Sequence, residues 1–283
     1  MSDDARMRRS SRARRRWVAL AVAAGVISGA CVGADNDDAH ALPRSHAAQP
    51  HAAQRPATTL TSPEPTTRPT PALPSVTKVV LGRTVLGRSI TAVHLVGIHA
   101  TRRIVVFGCI HGDESAGIAI TRLLEQRSPP AGLDLWVVDD LNGDGVAAGT
   151  RHNADGVDLN RNFPYAWQPI GRRGDAEYSG TRPLSEPESR IAVALLTRVR
   201  PDVTIWFHQH QGLVDDSGGD PTIEQRYAQL VGLPFERLTR YPGSATGWQN
   251  TTLQPTTAFV VELGAGSLSP PAASRFADAV THV

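Results

Sequence analysis

Two side chains of the types that bind divalent metals, His111 and Glu114, stand three positions apart in the sequence. They follow directly on the continuous apolar segment 104–110, which is typical of a buried strand. Ligands of open α/β sheets gather at the carboxyl ends of strands, so this placement favours a binding site over an ordinary surface loop. A neutral imidazole and a carboxylate suit zinc, and a catalytic zinc usually has three protein ligands.

A third ligand is expected at the end of another strand. His208 ends the apolar segment 203–207, and His210 follows two positions later, where an extended chain would present it on the same face. We favour His208 as the ligand, because the apolar run stops there. Without the other two candidate ligands, a histidine that merely ends a strand would be the default interpretation.

A further carboxylate, Glu262, lies inside the apolar segment 259–263. A charge in such a segment needs either a partner or a chemical role, because burying it alone is costly. One interpretation is a buried ion pair. The other is a general base that takes a proton from an attacking water molecule.

The segment 150–164 is rich in Arg, Asn and Asp. Arg161 and Asn160 could bind a substrate carboxylate, since a guanidinium group can hold a carboxylate through two hydrogen bonds. Asp158 could accept a hydrogen bond from the far ring nitrogen of a metal-binding histidine. Alone, the same segment could be a surface loop with charge pairs.

The elements that must position these residues alternate between strands and helices. This alternation predicts an α/β fold, a single domain with a mixed, largely parallel central sheet flanked by helices. The segment 142–184 has little periodicity, and a loop of that length in a compact domain is usually functional. Strands are expected at 79–81, 91–96, 104–110, 133–138, 203–207 and 258–262, and helices at 116–125 and from a capping box at 185–188 to residue 198.

The basic residues are concentrated at the N-terminus. Residues 1–16 hold seven Arg and two Asp, a contribution of +5, so a chain of net charge +2 leaves about −3 for the remainder. A body without a basic excess argues against a nucleic-acid partner. The basic segment is followed by the uncharged apolar segment 17–30, which is the order of an export signal, so an extracytoplasmic location is expected.

The end of this signal has three interpretations. Residues 27–31 resemble a lipoprotein box that ends at Cys31, although Ser28 stands where such boxes usually have an aliphatic residue. Cleavage after a small-residue site such as Ala39-His40-Ala41 is the second interpretation. An uncleaved anchor is the third, since the apolar run is short for a full membrane span. Any membrane contact is expected only through such a lipid or anchor.

A proline-rich segment separates the signal from the rest of the chain. Residues 32–77 contain no aromatic residue, and eight prolines fall between Pro43 and Pro74. Such a composition cannot bury enough apolar surface to offset the entropy of ordering, which predicts a disordered linker. The expected organisation is therefore an export signal at 1–31, a linker at 32–77 and a catalytic domain at 78–283.

Taken together and in this order, the motifs resemble the zinc metallocarboxypeptidase family, with its carboxypeptidase A-like fold, over about residues 79–283. The resemblance implies a zinc peptidase in which Glu262 is the general base and later the acid. It implies that Arg151 polarises the scissile carbonyl and that Asn160 and Arg161 hold the terminal carboxylate. It also implies zinc ligation by three residues, with Asp158 behind them: His111, Glu114 and His208.

Within the family, residues 81–89 and 156–164 are similar to small bacterial members that cut the bond between γ-D-glutamate and meso-diaminopimelate in cell-wall peptides. A muropeptide substrate is therefore expected, and export agrees with a substrate in the wall. Tyr241 and Thr246 resemble the family's mobile tyrosine and the floor of its specificity pocket. A small polar floor is compatible with a zwitterionic side chain such as that of diaminopimelate.

Two other functions remain open from the sequence. A zinc-dependent deacylase of N-acyl amino acids would share the first three ligands. A tethered, non-catalytic protein that binds wall peptides is the second possibility, although such a protein would usually have lost a ligand or the base.

Overall fold

The computed structural model describes residues 73–283. The predicted export signal, the lipoprotein box and nearly all of the predicted linker lie outside these residues. Within the described part of the chain, no helix combines the length and the hydropathy needed to cross a membrane.

An eight-stranded sheet runs through the described region in the order β1-β2-β4-β3-β5-β8-β6-β7. Its centre, β4-β3-β5-β8, is parallel, whereas β1 and β2 join antiparallel on one side and β6 pairs antiparallel with β8 on the other. The strands are β1 (Ser75–Arg83), β2 (Ser89–Val96), β3 (Arg102–Phe107), β4 (Leu133–Val138), β5 (Val203–Gln209), β6 (Leu213–Asp215), β7 (Phe235–Glu236) and β8 (Thr257–Leu263).

Helices cover both faces of this sheet. They are α1 (Gly117–Glu125), α2 (Gly143–Ala148), α3 (Pro187–Val199), α4 (Pro221–Val231), α5 (Ala245–Thr252) and α6 (Pro270–Val280), with one 3-10 turn at Leu159–Arg161. Alternate residues of β3 enter two separate cores, Ile104 and Val106 with α1, α4 and α6, and Val105 and Phe107 with α3 and α5. Burial on both faces explains why the central strands are continuous apolar runs. The predicted single α/β domain with a mixed sheet is confirmed, with the parallel strands at its centre.

Some boundaries differ from those expected. The strand at 104–110 ends at Phe107, because the next residues continue into the core without strand pairing: Cys109 and Ile110 are buried yet belong to no strand. The first strand begins at Ser75, and Ser75, Val76 and Thr77 pair with the end of β2. The folded region therefore starts three residues before position 78, inside the segment expected to be linker.

Candidate metal centre and adjoining cavity

The loop after β3 is fixed to α2 by a close backbone approach. A Cβ atom at Gly112 would lie 2.0 Å from the carbonyl carbon of Gly145, so only glycine fits at position 112, directly after His111. The buried amide of Asn142 donates to the carbonyl oxygens of Ile110 (3.1 Å) and Arg151 (3.2 Å). This amide therefore ties Arg151 to the loop after β3 that carries His111 and Glu114.

His111, Glu114 and His208 converge at the carboxyl ends of β3 and β5. Oε2 of Glu114 lies 3.0 Å from Nδ1 of His111 and 2.9 Å from Nδ1 of His208, and the three potential ligand atoms all lie within 4.8 Å of one another. Two imidazole nitrogens and one carboxylate oxygen fit zinc and leave a coordination position for water or substrate. The donor set and its geometry therefore fit the metal that the sequence predicts.

Asp158 lies behind this cluster and is fully buried. Its Oδ1 is 3.0 Å from Nε2 of His111, so the ring can donate its Nε2–H there and keep the Nδ1 lone pair for a metal. Burial alone would raise the pKa of Asp158, but His111 and Arg151 lower that pKa well below its usual range. The carboxylate is therefore ionised at neutral pH and fixes the orientation of the imidazole.

The Arg151 guanidinium group connects Asp158 to the metal-ligand cluster. Its Nε and Nη2 donate to Oδ2 of Asp158, at 3.0 and 2.9 Å, and its Nη1 donates to Oε1 of Glu114 at 2.9 Å. Burial opposes ionisation of Glu114, but the adjacent imidazoles of His111 and His208 hold its pKa well below the usual range. Arg151 thus borders the candidate metal position, where a guanidinium could donate to a substrate carbonyl.

Glu262 lies beside His208, because β5 and β8 are parallel neighbours and the two residues are register partners. Its side chain is buried, and its nearest hydrogen-bond donor is the backbone N–H of Gln211, 3.4 Å from Oε2. Within residues 73–283, no basic side chain forms an ion pair with Glu262. The structure therefore does not support the interpretation of this residue as part of a buried ion pair. The carboxylate instead faces a cavity shared with the metal-ligand cluster.

This cavity has a volume of about 320 Å³. His210 is exposed and lies outside it, bordering a neighbouring cleft. Asp158 also lies outside it, behind His111. The cavity brings together the other nine residues that the sequence singles out: His111, Glu114, Arg151, Asn160, Arg161, His208, Tyr241, Thr246 and Glu262.

The 3-10 turn holds Asn160 and Arg161 against the cavity. Oδ1 of Asn160 accepts a hydrogen bond from the N–H of Ala245 (2.9 Å), which joins the turn to the start of α5. The Arg161 guanidinium stacks 4.1 Å from the centre of the Tyr241 ring and pairs with Glu177 at 2.7 Å. Within the described residues, Nε of this buried arginine has no hydrogen-bond partner, which leaves a donor for a ligand.

The chain after Tyr241 packs directly on this turn. A Cβ atom at Gly243 would lie 2.0 Å from the carbonyl oxygen of Arg161, and the φ of Gly243 is +77°, so glycine is required there on both counts. This contact fixes Tyr241 beside Arg161.

Among the other residues that line the cavity, Gln211, Asp215 and Arg240 are not singled out by the sequence motifs. Asp215 ends β6, which is only three residues long and therefore gives little periodic signal. Arg240 immediately precedes Tyr241, and its position next to that residue is the one sequence feature that could have drawn attention to it.

Comparison with known proteins identifies the family of this chain. A family model described as zinc carboxypeptidase matches residues 70–214. The chain belongs to the zinc carboxypeptidase family. The predicted membership of the zinc metallocarboxypeptidase family is thereby confirmed.

Individual relatives are similar in sequence to part of this chain. Murein peptide amidase A of Escherichia coli strain K12 is 31% identical over 151 residues, 49% of this chain and 62% of that protein. Gamma-D-glutamyl-L-diamino acid endopeptidase 1 of Lysinibacillus sphaericus is 33% identical over 132 residues, 42% of this chain and 33% of that protein. The matched region thus spans less than two thirds of the length of these relatives.

Solved structures share the fold. Murein-tripeptide amidase MpaA from Escherichia coli O157 superposes with a TM-score of 0.61 at 26% identity, covering 75% of this chain and 92% of that one. Carboxypeptidase A from Helicoverpa armigera superposes with a TM-score of 0.62 at 18% identity, covering 74% of this chain and 69% of that one, which shows the fold alone.

Proposed function

We propose that this chain hydrolyses the amide bond that precedes the C-terminal residue of a peptide, with zinc held by His111, Glu114 and His208. The observation that carries the proposal is the convergence of these three side chains beside Glu262 in one cavity. When bound there, zinc would supply Lewis-acid polarisation of the amide carbonyl and would make a water molecule more acidic.

Glu262 serves as the general base in this proposal. It takes a proton from the attacking water while the oxygen of that water bonds to the carbonyl carbon. The C–N bond then breaks, and Glu262 returns the proton to the leaving amine. Arg151 donates a hydrogen bond to the carbonyl oxygen as negative charge develops on it, a contribution of about 3 kcal/mol for one well-placed donor.

Arg161 and Asn160 bind the C-terminal carboxylate of the peptide. The guanidinium group is already positioned by the Tyr241 ring and by Glu177, so little side-chain entropy is lost when the carboxylate binds. Recognition of a free carboxylate next to the scissile bond makes the enzyme exo-acting.

The proposed substrate is a cell-wall peptide, cut between γ-D-glutamate and meso-diaminopimelate. The names of two relatives, a murein peptide amidase and a γ-D-glutamyl-diamino acid endopeptidase, support this choice. Ser244 and Thr246 give the cavity small polar side chains, which suit a polar substrate residue. Export, which the sequence predicts, would bring the enzyme to the wall.

The test is mass spectrometry of the products after the purified chain is incubated with muropeptides of defined length. We expect release of the C-terminal diamino acid, loss of this activity with a chelator, and recovery on addition of zinc. N-acyl amino acids are assayed in parallel. Cleavage of these compounds alone would favour the deacylase, and zinc binding without any cleavage would favour a non-catalytic binding protein.

A further inference from the structure

Arg240 is a third guanidinium group on the cavity, after Arg151 and Arg161, and the proposed mechanism does not use it. It borders the same space as Arg161 and Glu262. One guanidinium is enough for the C-terminal carboxylate, and Arg161 supplies it. Arg151 is assigned to the scissile carbonyl, so Arg240 needs a different partner.

A buried carboxylate holds Arg240 in place. Oδ2 of Asp215 accepts a hydrogen bond from Nη1 of Arg240 at 3.0 Å and another from the Ser217 hydroxyl at 2.6 Å, and Oδ1 accepts the N–H of Leu238 at 2.8 Å. With three donors already bound, Asp215 serves to position the arginine rather than to bind a ligand itself. Asp215 is nearly inaccessible, with 4% of its surface exposed.

The donors of Arg240 are mostly uncommitted. Of its five N–H groups, one donates a hydrogen bond within the described residues. The neighbouring acid, Asp216, is bound at 2.7 and 2.9 Å by Arg237 and lies 3.6 Å from Nη2 of Arg240, beyond hydrogen-bond distance. About a third of the Arg240 side chain is exposed, so a ligand in the cavity can reach it.

We propose that Arg240 binds a second carboxylate, carried at the far end of the side chain of the substrate's C-terminal residue. This inference rests on the proposed function. Leu238 and Val260 supply apolar surface on the same cavity, suited to the methylene groups that separate two carboxylates. Diaminopimelate carries such a distal carboxylate and lysine does not, so Arg240 makes the enzyme select the former.

The test compares two peptides that differ only in this carboxylate, one ending in γ-D-glutamyl-meso-diaminopimelate and the other in γ-D-glutamyl-L-lysine. For the full zinc-loaded chain we expect a kcat/KM for the diaminopimelate peptide about 10- to 100-fold higher, since one charge-assisted hydrogen-bonded contact separates the substrates. Arg240→Gln should remove this preference through KM, with the lysine peptide changed by less than about threefold.

Arg237→Gln is the matched control. Arg237 pairs with Asp216 three positions before Arg240 but does not border the cavity, so the preference should persist in this variant. Equal losses on both peptides in Arg240→Gln would show that Arg240 only supports the fold and would overturn the inference. Equal rates on both peptides with the unaltered chain would overturn it as well.

A binding measurement separates this inference from the proposed function. Titration calorimetry of the zinc-loaded chain with free meso-diaminopimelate and with free lysine does not require turnover. Tighter binding of diaminopimelate that is lost in Arg240→Gln supports the inference even if neither peptide is cut, in which case the proposed function alone fails. Equal binding of the two amino acids overturns the inference.

Discussion

The two sides of the cavity are built in different ways. The metal rim, formed by His111, Glu114, Arg151, Asp158 and His208, is a network in which every member is hydrogen-bonded to another member. The pocket wall, residues 238–246, runs from a segment without helix or strand into the start of α5. On this wall Tyr241 is 40% exposed, whereas the imidazoles of the rim are nearly inaccessible.

This difference shows how rigidity is divided within the site. The three metal-ligand candidates of the rim lie at the ends of buried parallel strands, and Arg151 and Asp158 reach them from the loop after α2. The charges of the rim neutralise one another at hydrogen-bond distance, so loss of one member leaves a buried charge without its partner. The wall is fixed at a few points, chiefly at Gly243 and at the Asp215–Arg240 pair. We therefore expect substitutions at the rim and at the general base, Glu262, to lower zinc affinity or turnover. Substitutions at the wall should change substrate selectivity.

The largest effect is expected for Glu262→Gln. The amide keeps the shape of the side chain but cannot take the proton of the attacking water, so kcat should fall by about 10²- to 10⁴-fold. Zinc content, measured by metal analysis of the purified variant, should stay at that of the unaltered chain, because Glu262 is not among the three converging ligands.

Glu236→Gln is the control for this substitution. Glu236 is exposed on β7, and its replacement should leave the turnover unchanged. A fully active Glu262→Gln variant would remove the general base from the mechanism and return Glu262 to a structural role.

The second effect concerns the rim itself. Asp158→Asn keeps the size of the side chain but removes the charge that orients His111 and pairs with Arg151. We expect zinc affinity to fall by about 10- to 100-fold, measured by competition with a chromogenic chelator. Asp155→Asn, an exposed position three residues earlier, should bind zinc as the unaltered chain does. Equal affinities in the two variants would show that the rim does not depend on this carboxylate.

Most of the rim could be predicted from the sequence. Strand ends are marked by the end of an apolar run, and parallel strands place their carboxyl ends at one edge of the sheet, so His111, Glu114 and His208 could be expected to meet. Glu262 was marked by its charge inside an apolar segment. The core strand at 133–138 has the expected bounds, because continuous burial and pairing coincide there.

The wall could not be predicted in the same way. Asp215 and Arg240 are 25 positions apart, and their contact depends on how a loop folds onto a short strand rather than on any sequence period. Helices α4 and α6 were missed although both have an N-cap followed by proline, Asp220 with Pro221 and Ser269 with Pro270. Those caps were present in the sequence, whereas the Asp215–Arg240 contact was not encoded locally.

The smallest effect concerns a buried carboxyl group behind the wall. Glu224 on α4 is fully buried, one of its oxygens accepts the N–H of Gly219 at 3.2 Å, and the other has no partner among the described residues. Burial first, and then the charges of Asp216 and Asp215, raise the pKa of Glu224 to about 8. The group is therefore mostly protonated in the folded chain at pH 7, beside the acids that bind Arg237 and Arg240.

This raised pKa sets the sign of a pH dependence. Between the ordinary pKa of 4.5 and the folded pKa of about 8, the folded chain holds a proton that the unfolded chain has released, so the free energy of unfolding falls as the pH rises. From pH 7 to pH 8 the contribution of Glu224 should fall by about 1 kcal/mol, and above the folded pKa it should level off.

Glu224→Gln isolates this contribution, because the neutral amide has the same size and every other titrating group is retained. We expect the variant to gain stability relative to the unaltered chain as the pH rises from 7 to 8, with a difference in Tm of about 2–4 °C. Thermal unfolding at a series of pH values measures it, with Glu236→Gln as the exposed control. If the curves for the unaltered chain and Glu224→Gln run parallel from pH 6 to pH 9, Glu224 titrates alike in the folded and unfolded chains. The Glu224 carboxyl group behind the wall would then not be held protonated. The charges near the wall would be those of the Asp215–Arg240 and Asp216–Arg237 pairs alone.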